Sequence, residues 1–522
     1  MPPTLPCQHA IDAVGRRRNA PETCLQSSGQ EEQAATTKNV PHLSYVHAYF
    51  RHVHRAYPFL DREQTIERAK ASTNLELWRD GIINLVMAIG STTLERAGKL
   101  SPHVQTQSLA VPVPYTSILT RSLSFPSIEG LHVLTLLSLY SLFDTQGVST
   151  WTIVGILTRQ AISLGLSRPG SASKELALYN QELRHRLFWS IFVLDRMVAV
   201  SVGHPAGLID DNMAVPQPAV TVLEFASPDR AEHVSLLQLN RHIIHLRQLE
   251  YRILSSVHLK NHAELSKLSP PDRNVLSSEL RSAIDEWYGH ACLVSLPEAD
   301  NIPIHSTITW LNARYYNLLV LLYYPCHFNS QSRHASTKDL LAYVSKFINY
   351  NQILLEQRQL PLNYITLGRL IPACLVLVHC FAVTEPQTYT AKSETNSSID
   401  ILRAFPAVWS SAHRTAGVMS EFIELVASHE AYASHQLVHF DYASHAPLRS
   451  STKTWLHDLR IDLLDIMRKT LSNSSCYLDV EAWDNANRRM NESFGSLSPT
   501  TGTSPNVPSP WVTDCGFELG YL

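Results

Sequence analysis

The sequence predicts an all-α protein: one large multi-helix domain between two polar tails. Two observations carry that expectation. Apolar residues recur at spacings of three and four through successive stretches between residues 41 and 470, the period of a helix that buries one face. Blocks of alternating polar and apolar residues joined by hairpin turns are not found, and no segment repeats at a fixed period. Hydrophobic residues make up 44% of 522 positions, enough for a substantial core.

Residues 1–40 are polar, carry Pro2, Pro3, Pro6 and Pro21, and read as a disordered tail. Arg16–Arg17–Arg18 is a short basic cluster, read either as a solvated triplet or as a weak import or phosphate-contact signal. Structure is expected from His42. The first helix sets Tyr45, Tyr49, His52 and Val53 on one side and stops before Pro58. A second turns Leu77, Ile82, Leu85, Val86 and Ile89 inward. A helix pair follows. Pro126 is expected to start the first member and the DTQG turn to end it, and the second carries Trp151, Val154, Leu157, Ala161, Ile162 and Leu164 in register up to Gly165 and Pro169.

The most informative stretch is Glu182–Pro216. Leu187, Ile191, Leu194 and Val198 form one helical stripe, and Phe188, Phe192 and Ala199 widen it beyond the arc of a surface helix. Glu182 and Arg186 stand four apart, in the favoured order for an ion pair. Gly203 and Pro205 stop the helix, and an extended segment runs from Ile209 to Pro216. Asp195 sits on the apolar face of this helix, where a bare carboxylate is costly. The spacing predicts that it is paired with an arginine from another helix. A catalytic reading has no second carboxylate or histidine within a turn to support it.

Further helices are expected around Leu239–Ile243–Leu246–Leu249–Ile253, over ITWLNARYYNLLVLLYYPCHF, and at Tyr343–Glu356, Ile365–Val383, Val408–Ala433 and Trp455–Thr470. From 471 to 522 the composition returns to Ser, Asn, Pro and Gly, and this stretch reads as a second disordered tail. It ends on Trp511, Phe517, Leu519 and Tyr521 among Asp514 and Glu518, either an activation-type peptide or a frayed terminus. The longest apolar runs fall short of the roughly 18–20 residues of a membrane span, and no secretion signal is present. The eight scattered cysteines read as reduced thiols of a cytosolic or nuclear protein.

The run LFWSIFVLDR, followed by GHP, IDD and a proline, resembles the signature of the fungus-specific transcription factor domain. That is the helical middle region of fungal regulators that carry an N-terminal binuclear zinc cluster. Arg184, Arg186, Phe188, Trp189, Asp195, Arg196, Gly203, Pro205, Ile209, Asp211, Val215 and Pro216 or Pro218 fit its pattern. His204 stands where the family has arginine and Met213 where it has isoleucine. The resemblance extends to the Tyr49 to Pro58–Phe59–Leu60 opening, to the helix pair and to the apolar helix before Pro325. It spans residues 41–470 and is most specific over 128–218.

The family's zinc module needs six cysteines within about thirty residues, and only Cys7 and Cys24 lie near the N-terminus. Two thiolates cannot complete a tetrahedral zinc site. The His52/His54, His242/His245 and His435/His439 pairs lack an H-E-x-x-H frame or an adjacent carboxylate set, and read as surface or core histidines. Asp210–Asp211 lacks the third acid of a magnesium–diphosphate motif. No phosphate loop, dinucleotide fingerprint or nucleophile elbow appears. No catalytic, cofactor-binding or metal residues are therefore assigned, DNA-contacting residues are unknown, and no cofactor is expected. A formal charge of −3 gives no global basic field for nucleic acid.

The resemblance implies a nuclear transcriptional regulator or coregulator, of a biosynthetic or secondary-metabolite pathway in many relatives. Without the zinc module it should bind DNA weakly on its own. It would act through a DNA-binding partner or a homo- or heterodimer, with the transcription machinery and a small-molecule effector, and away from membranes. The alternative is a helical ligand-binding or scaffold protein of the same descent with no direct transcriptional role.

Overall fold

The computed structural model describes residues 41–71, 80–96, 113–168, 175–209, 214–292, 305, 307–329, 337–383, 389–436 and 450–480. Every regular element among them is helical. In chain order these are α1 (Pro41–His52), α2 (Arg62–Ala71), α3 (Gly81–Arg96), α4 (Tyr115–Ser124), α5 (Ile128–Ser141), α6 (Thr150–Ser163) and α7 (Glu175–Val202). Short α8 (Val222–Ala226) precedes α9 (Arg230–Ile253), which runs into one π-turn at Leu254–His258. There follow α10 (His262–Leu265), α11 (Pro270–Cys292), α12 (Ile308–Tyr323), α13 (Thr337–Glu356), α14 (Tyr364–Val383), α15 (Tyr389–Arg403), α16 (Ser410–Gln436), α17 (Ser450–Leu471) and a 3-10 turn at Cys476–Leu478.

The body is organised around α7. Every residue from His185 to Gly203 is buried, so this part of the helix is enclosed on all sides. It packs against α5, α6, α9 and α14. The predicted stripe Leu187, Ile191, Leu194 and Val198 is at 0% exposure, and Phe188 and Phe192 with it. Hydroxyls inside the helix bond back to its own carbonyls: Ser190 donates to Arg186 O at 2.7 Å and Ser201 to Met197 O at 2.8 Å. Around this axis α12 pairs with α13, α14 packs against α13 and α17, and α15 packs against α16.

Both ends of the enclosed stretch are closed by partners from afar. At the C-terminal end, Gly203 adopts φ +72°, and a Cβ there would stand 2.7 Å from Ser475 Oγ. Only glycine fits that conformation and that space. The last carbonyls of α7 are then satisfied by the segment after α17: Tyr477 Oη donates to Val200 O at 2.5 Å and Cys476 N–H to Gly203 O at 3.1 Å. Composition places residues 472–480 in a polar tail. Tyr477 is nevertheless 4% exposed, because it caps this helix end.

Several sequence expectations shift. Pro126 lies outside α5, whose N-cap is Ser127, with Oγ accepting from Gly130 N–H. Ile162 is 49% exposed, while Ile153, absent from the predicted register, is fully buried. Helices α4, α11 and α15 carry too many polar residues for periodicity to reveal them. Within α14, the window Tyr364–Phe381 is long and apolar enough to cross a membrane, contrary to the sequence reading, but 83% of it is buried inside the body.

The N-terminal part of α7 is tied by Arg186. Its Nη1 and Nη2 reach Glu224 Oε1 and Oε2 at 2.8 and 2.7 Å, and its Nε reaches the predicted partner Glu182 at 3.1 Å. Glu224 also closes a capping box with Thr221 at the start of α8. Burial opposes the charge of Glu224, but the Arg186 hydrogen bonds and charge, with the Thr221 bonds, outweigh it and hold the carboxyl down at about 2. A depressed carboxyl stabilises the fold fully above its unfolded pKa and loses that stabilisation as pH falls toward its folded value. Glu224→Gln should therefore cost about 1.5–3 kcal/mol at neutral pH. In urea titrations the gap to wild type should close as pH falls from about 4.5 toward 2; a gap independent of pH over that range would contradict the assignment.

Candidate functional site

The Asp195–Arg196 dipeptide, deep in α7, grips the loop that follows the helix. Asp195 is 2% exposed and Arg196 is 1% exposed. Asp195 Oδ1 accepts from Gly207 N–H at 2.9 Å and Oδ2 from Leu208 N–H at 3.0 Å. Arg196 Nη2 donates to Leu208 O at 2.7 Å, and its Nη1 returns to Asp195 Oδ2 at 3.0 Å. Leu208 thus has its N–H held by the acid and its carbonyl by the base. The Arg196 guanidinium lies 4.7 Å from the Phe192 ring centroid and 4.1 Å from that of Tyr251. Tyr251 Oη accepts from Ala206 N–H at 3.3 Å, and Trp189 Nε1 donates to Pro216 O at 2.7 Å. The loop must approach closely: a Cβ on Gly207 would lie 2.8 Å from Thr158 Oγ1 and 3.3 Å from Asp195 Oδ1.

The expected arginine partner of Asp195 is therefore present, but it is the next residue on the same helix, joined by loop amides. Such an acid, saturated by fixed donors, is architectural. His204 accounts for the position where the signature differs. Its Nε2 lies 2.8 Å from Ser472 Oγ and its ring 5.3 Å from that of Trp151, so it joins the loop to the segment after α17.

The second feature is a cavity of about 280 Å³. Its wall includes six arginines, Arg51, Arg96, Arg247, Arg314, Arg358 and Arg369, and no aspartate or glutamate among the described residues. The wall runs from exposed Arg51, Gln357 and Arg358 to buried Arg247 and Arg314, 5% and 7% exposed. Apolar side chains, among them Leu139, Met197, Ile243 and Trp310, complete it. Just behind, Glu250 is fully buried and accepts from Arg247 Nη1 at 2.5 Å and Arg369 Nη2 at 2.9 Å. Among the described residues Arg314 reaches the neutral Asn351 Oδ1, at 3.4 Å. Burial, then the Arg369 charge, push the Arg314 guanidinium well below its usual range, with Glu250 opposing and Arg247 adding to the shift. Burial, then the charges of Arg247, Arg314 and Arg55, hold His305 in the same wall at about 3, so it is neutral at physiological pH.

Among the described residues no group of three or more His, Cys, Asp or Glu is placed to hold a metal. His242 instead stacks on Trp287 with ring centroids 4.6 Å apart, and His245 Nε2 lies 3.1 Å from Gln217 Nε2. Cys326, Cys374 and Cys380 are buried, and burial pushes each thiol up to about 12, which keeps them protonated and unreactive. Arg16–Arg18, Cys7, Cys24, Asp210–Asp211, Met213, His439 and the C-terminal Trp511–Tyr521 stretch lie outside the described residues.

Residues 46–289 match the model of the fungal specific transcription factor domain. The chain carries that domain. The match runs from α1 into α11 and holds the clasp at its centre, as the signature resemblance implied. Among similar proteins, Protein STB5 of Saccharomyces cerevisiae is 30% identical over 399 residues, 72% of this chain and 52% of that protein. The negative regulator of pleiotropic drug resistance STB5 of Candida glabrata is 32% identical over 267 residues, 48% of this chain and 25% of that protein. The lactose regulatory protein LAC9 of Kluyveromyces lactis is 28% identical over 169 residues, 31% of this chain and 18% of that protein. The chain thus spans about half or less of the length of these relatives. No solved structure matches it.

Within the fungal specific transcription factor domain Asp195 and Arg196 were singled out by the signature, whereas Gly207, Leu208 and the cavity arginines were not. Arg247 lies inside the matched range, but Arg314, Arg358 and Arg369 lie beyond it on α12, after α13 and on α14. The one available signal was arginine on otherwise apolar helices, as in ITWLNARYYNLL and ITLGRLIPA. Removing one member of a buried pair leaves the other charge uncompensated. Asp195→Ala should accordingly cost about 3–5 kcal/mol, read as a lower urea midpoint at unchanged slope; a midpoint equal to wild type would show that the clasp does not hold the loop.

Proposed function

We propose that the chain is a fungal transcriptional regulator whose helical domain is its regulatory part. The observation that carries the reading is the domain match over 46–289, which contains the α7 helix whose signature residues Asp195 and Arg196 form the clasp. The relatives described by what they regulate, lactose use and pleiotropic drug resistance, support it. The protein acts in the nucleus, through a DNA-binding partner or a dimer and the transcription machinery, and the arginine-lined cavity receives a small-molecule effector. The matched domain and the similar proteins are those of transcriptional regulators, so the reading is of a regulator rather than an enzyme.

The test is a deletion strain compared with a strain expressing the full chain with a tag. Nuclear signal, promoter occupancy by the tagged chain and altered transcripts from the occupied genes are expected. A cytosolic distribution with an unchanged transcriptome would overturn the proposal and leave a helical ligand-binding or scaffold protein.

A further inference from the structure

The cavity has a charge problem that the protein does not solve by itself. Three guanidiniums, those of Arg247, Arg314 and Arg369, meet at its inner end, with 5%, 7% and a side-chain 9% exposure. Among the described residues a single carboxylate, Glu250, faces them, and it is bonded to Arg247 and Arg369. Two positive charges are left over. Buried charges are normally paired, and arginine does not shed its proton at physiological pH to escape the cost. The Nε–H groups of Arg247, Arg314 and Arg369 find no acceptor among the described residues. Nδ1 of His305, in the same wall, is also without a partner.

A further choice points the same way. After α13 the chain turns through Arg358 at φ +55°, where glycine is the easy residue. An arginine stands there instead, and its side chain lines the exposed side of the same cavity. The cavity is also lined by apolar side chains, among them Leu139, Met197 and Ile243. Its volume of about 280 Å³ is close to the lower end of small-molecule sites, roughly 300–1,000 Å³.

We infer that this cavity is a binding site for a small dianion, a metabolite carrying a carboxylate pair or a phosphate monoester, whose charged end meets Arg247, Arg314 and Arg369 and whose body lies against Leu139, Met197 and Ile243. The guanidinium fork fits both head groups, since each offers oxygens in pairs. Two negative charges cancel the surplus, whereas a neutral ligand of the same size would leave it in place. The site joins the matched region, through α3, α5, α7 and α9, to α12, α13 and α14. An occupant would therefore draw these two sets of helices together, and its binding energy would add to stability. The inference deepens the effector part of the proposed function and rests on that reading only for its consequence in the cell; its test uses purified protein, so either can fail alone.

The test is isothermal titration calorimetry of the full chain at constant ionic strength, with chloride as the balancing anion, using inorganic phosphate and succinate as separate probes. Saturable binding of at least one is expected, phosphate alone pointing to a phosphate ester and succinate alone to a carboxylate pair. Arg314→Met should weaken that binding at least about tenfold, and exposed Arg252→Met should leave it unchanged. If Arg314→Met does not fold, Arg358→Ala, at an exposed position, provides the same readout with a smaller loss. Absence of saturable binding by both probes, or binding that no folded member of this pair of variants weakens, would overturn the inference.

Discussion

An enclosed helix cannot leave a polar group to water, and that constraint shapes this domain. From His185 to Gly203 the chain of α7 and its C-terminal glycine has no solvent-facing side, so a polar atom left there without a protein partner is costly. Asp195 and Arg196 meet this demand by reaching forward to residues 207 and 208. The carbonyls at the end of the helix meet it through Cys476 and Tyr477. The fold is thereby closed twice on the same element, once by a loop a few residues on and once by a segment nearly three hundred residues away.

Such arrangements do not by themselves make a protein more stable. Replacing a buried ion pair by apolar residues of like volume is often neutral or favourable, whereas removing one partner is costly. What the clasp supplies is a unique position for the loop, because only one register brings both the N–H and the carbonyl of Leu208 to their partners. The contrast with the cavity is instructive. The clasp balances one acid against one base and several backbone dipoles. The inner end of the cavity sets three guanidiniums against one carboxylate among the described residues, and that imbalance is what the inferred anion would answer.

Much of α7 was legible in the sequence, because Leu187, Ile191, Leu194 and Val198 repeat at helical spacing, and Gly203 and Pro205 stop it. The burial of Asp195 was legible for the same reason. Its partners were not, since periodicity ranks faces of a helix but says nothing about which loop amides will be brought to an acid. Gly207 gave no local signal either; its need to be small comes from Thr158, on another helix. Helices α11 and α15 were missed because stretches such as PPDRNVLSSELRS and KSETNSS show too little contrast between their faces. The cavity was invisible for a different reason. Arg247, Arg314 and Arg369 are far apart in sequence, and although Arg314 and Arg369 stand on apolar helices, nothing local says that the three meet.

The most direct measurement is amide hydrogen exchange at Gly207 and Leu208. Both lie in a loop, where exchange is ordinarily fast. If Asp195 and Arg196 hold that loop against α7, the two amides exchange as slowly as those in the interior of the helix, and Asp195→Asn speeds them selectively while the helix interior stays protected. Fast exchange at both positions in the wild-type protein would contradict the account.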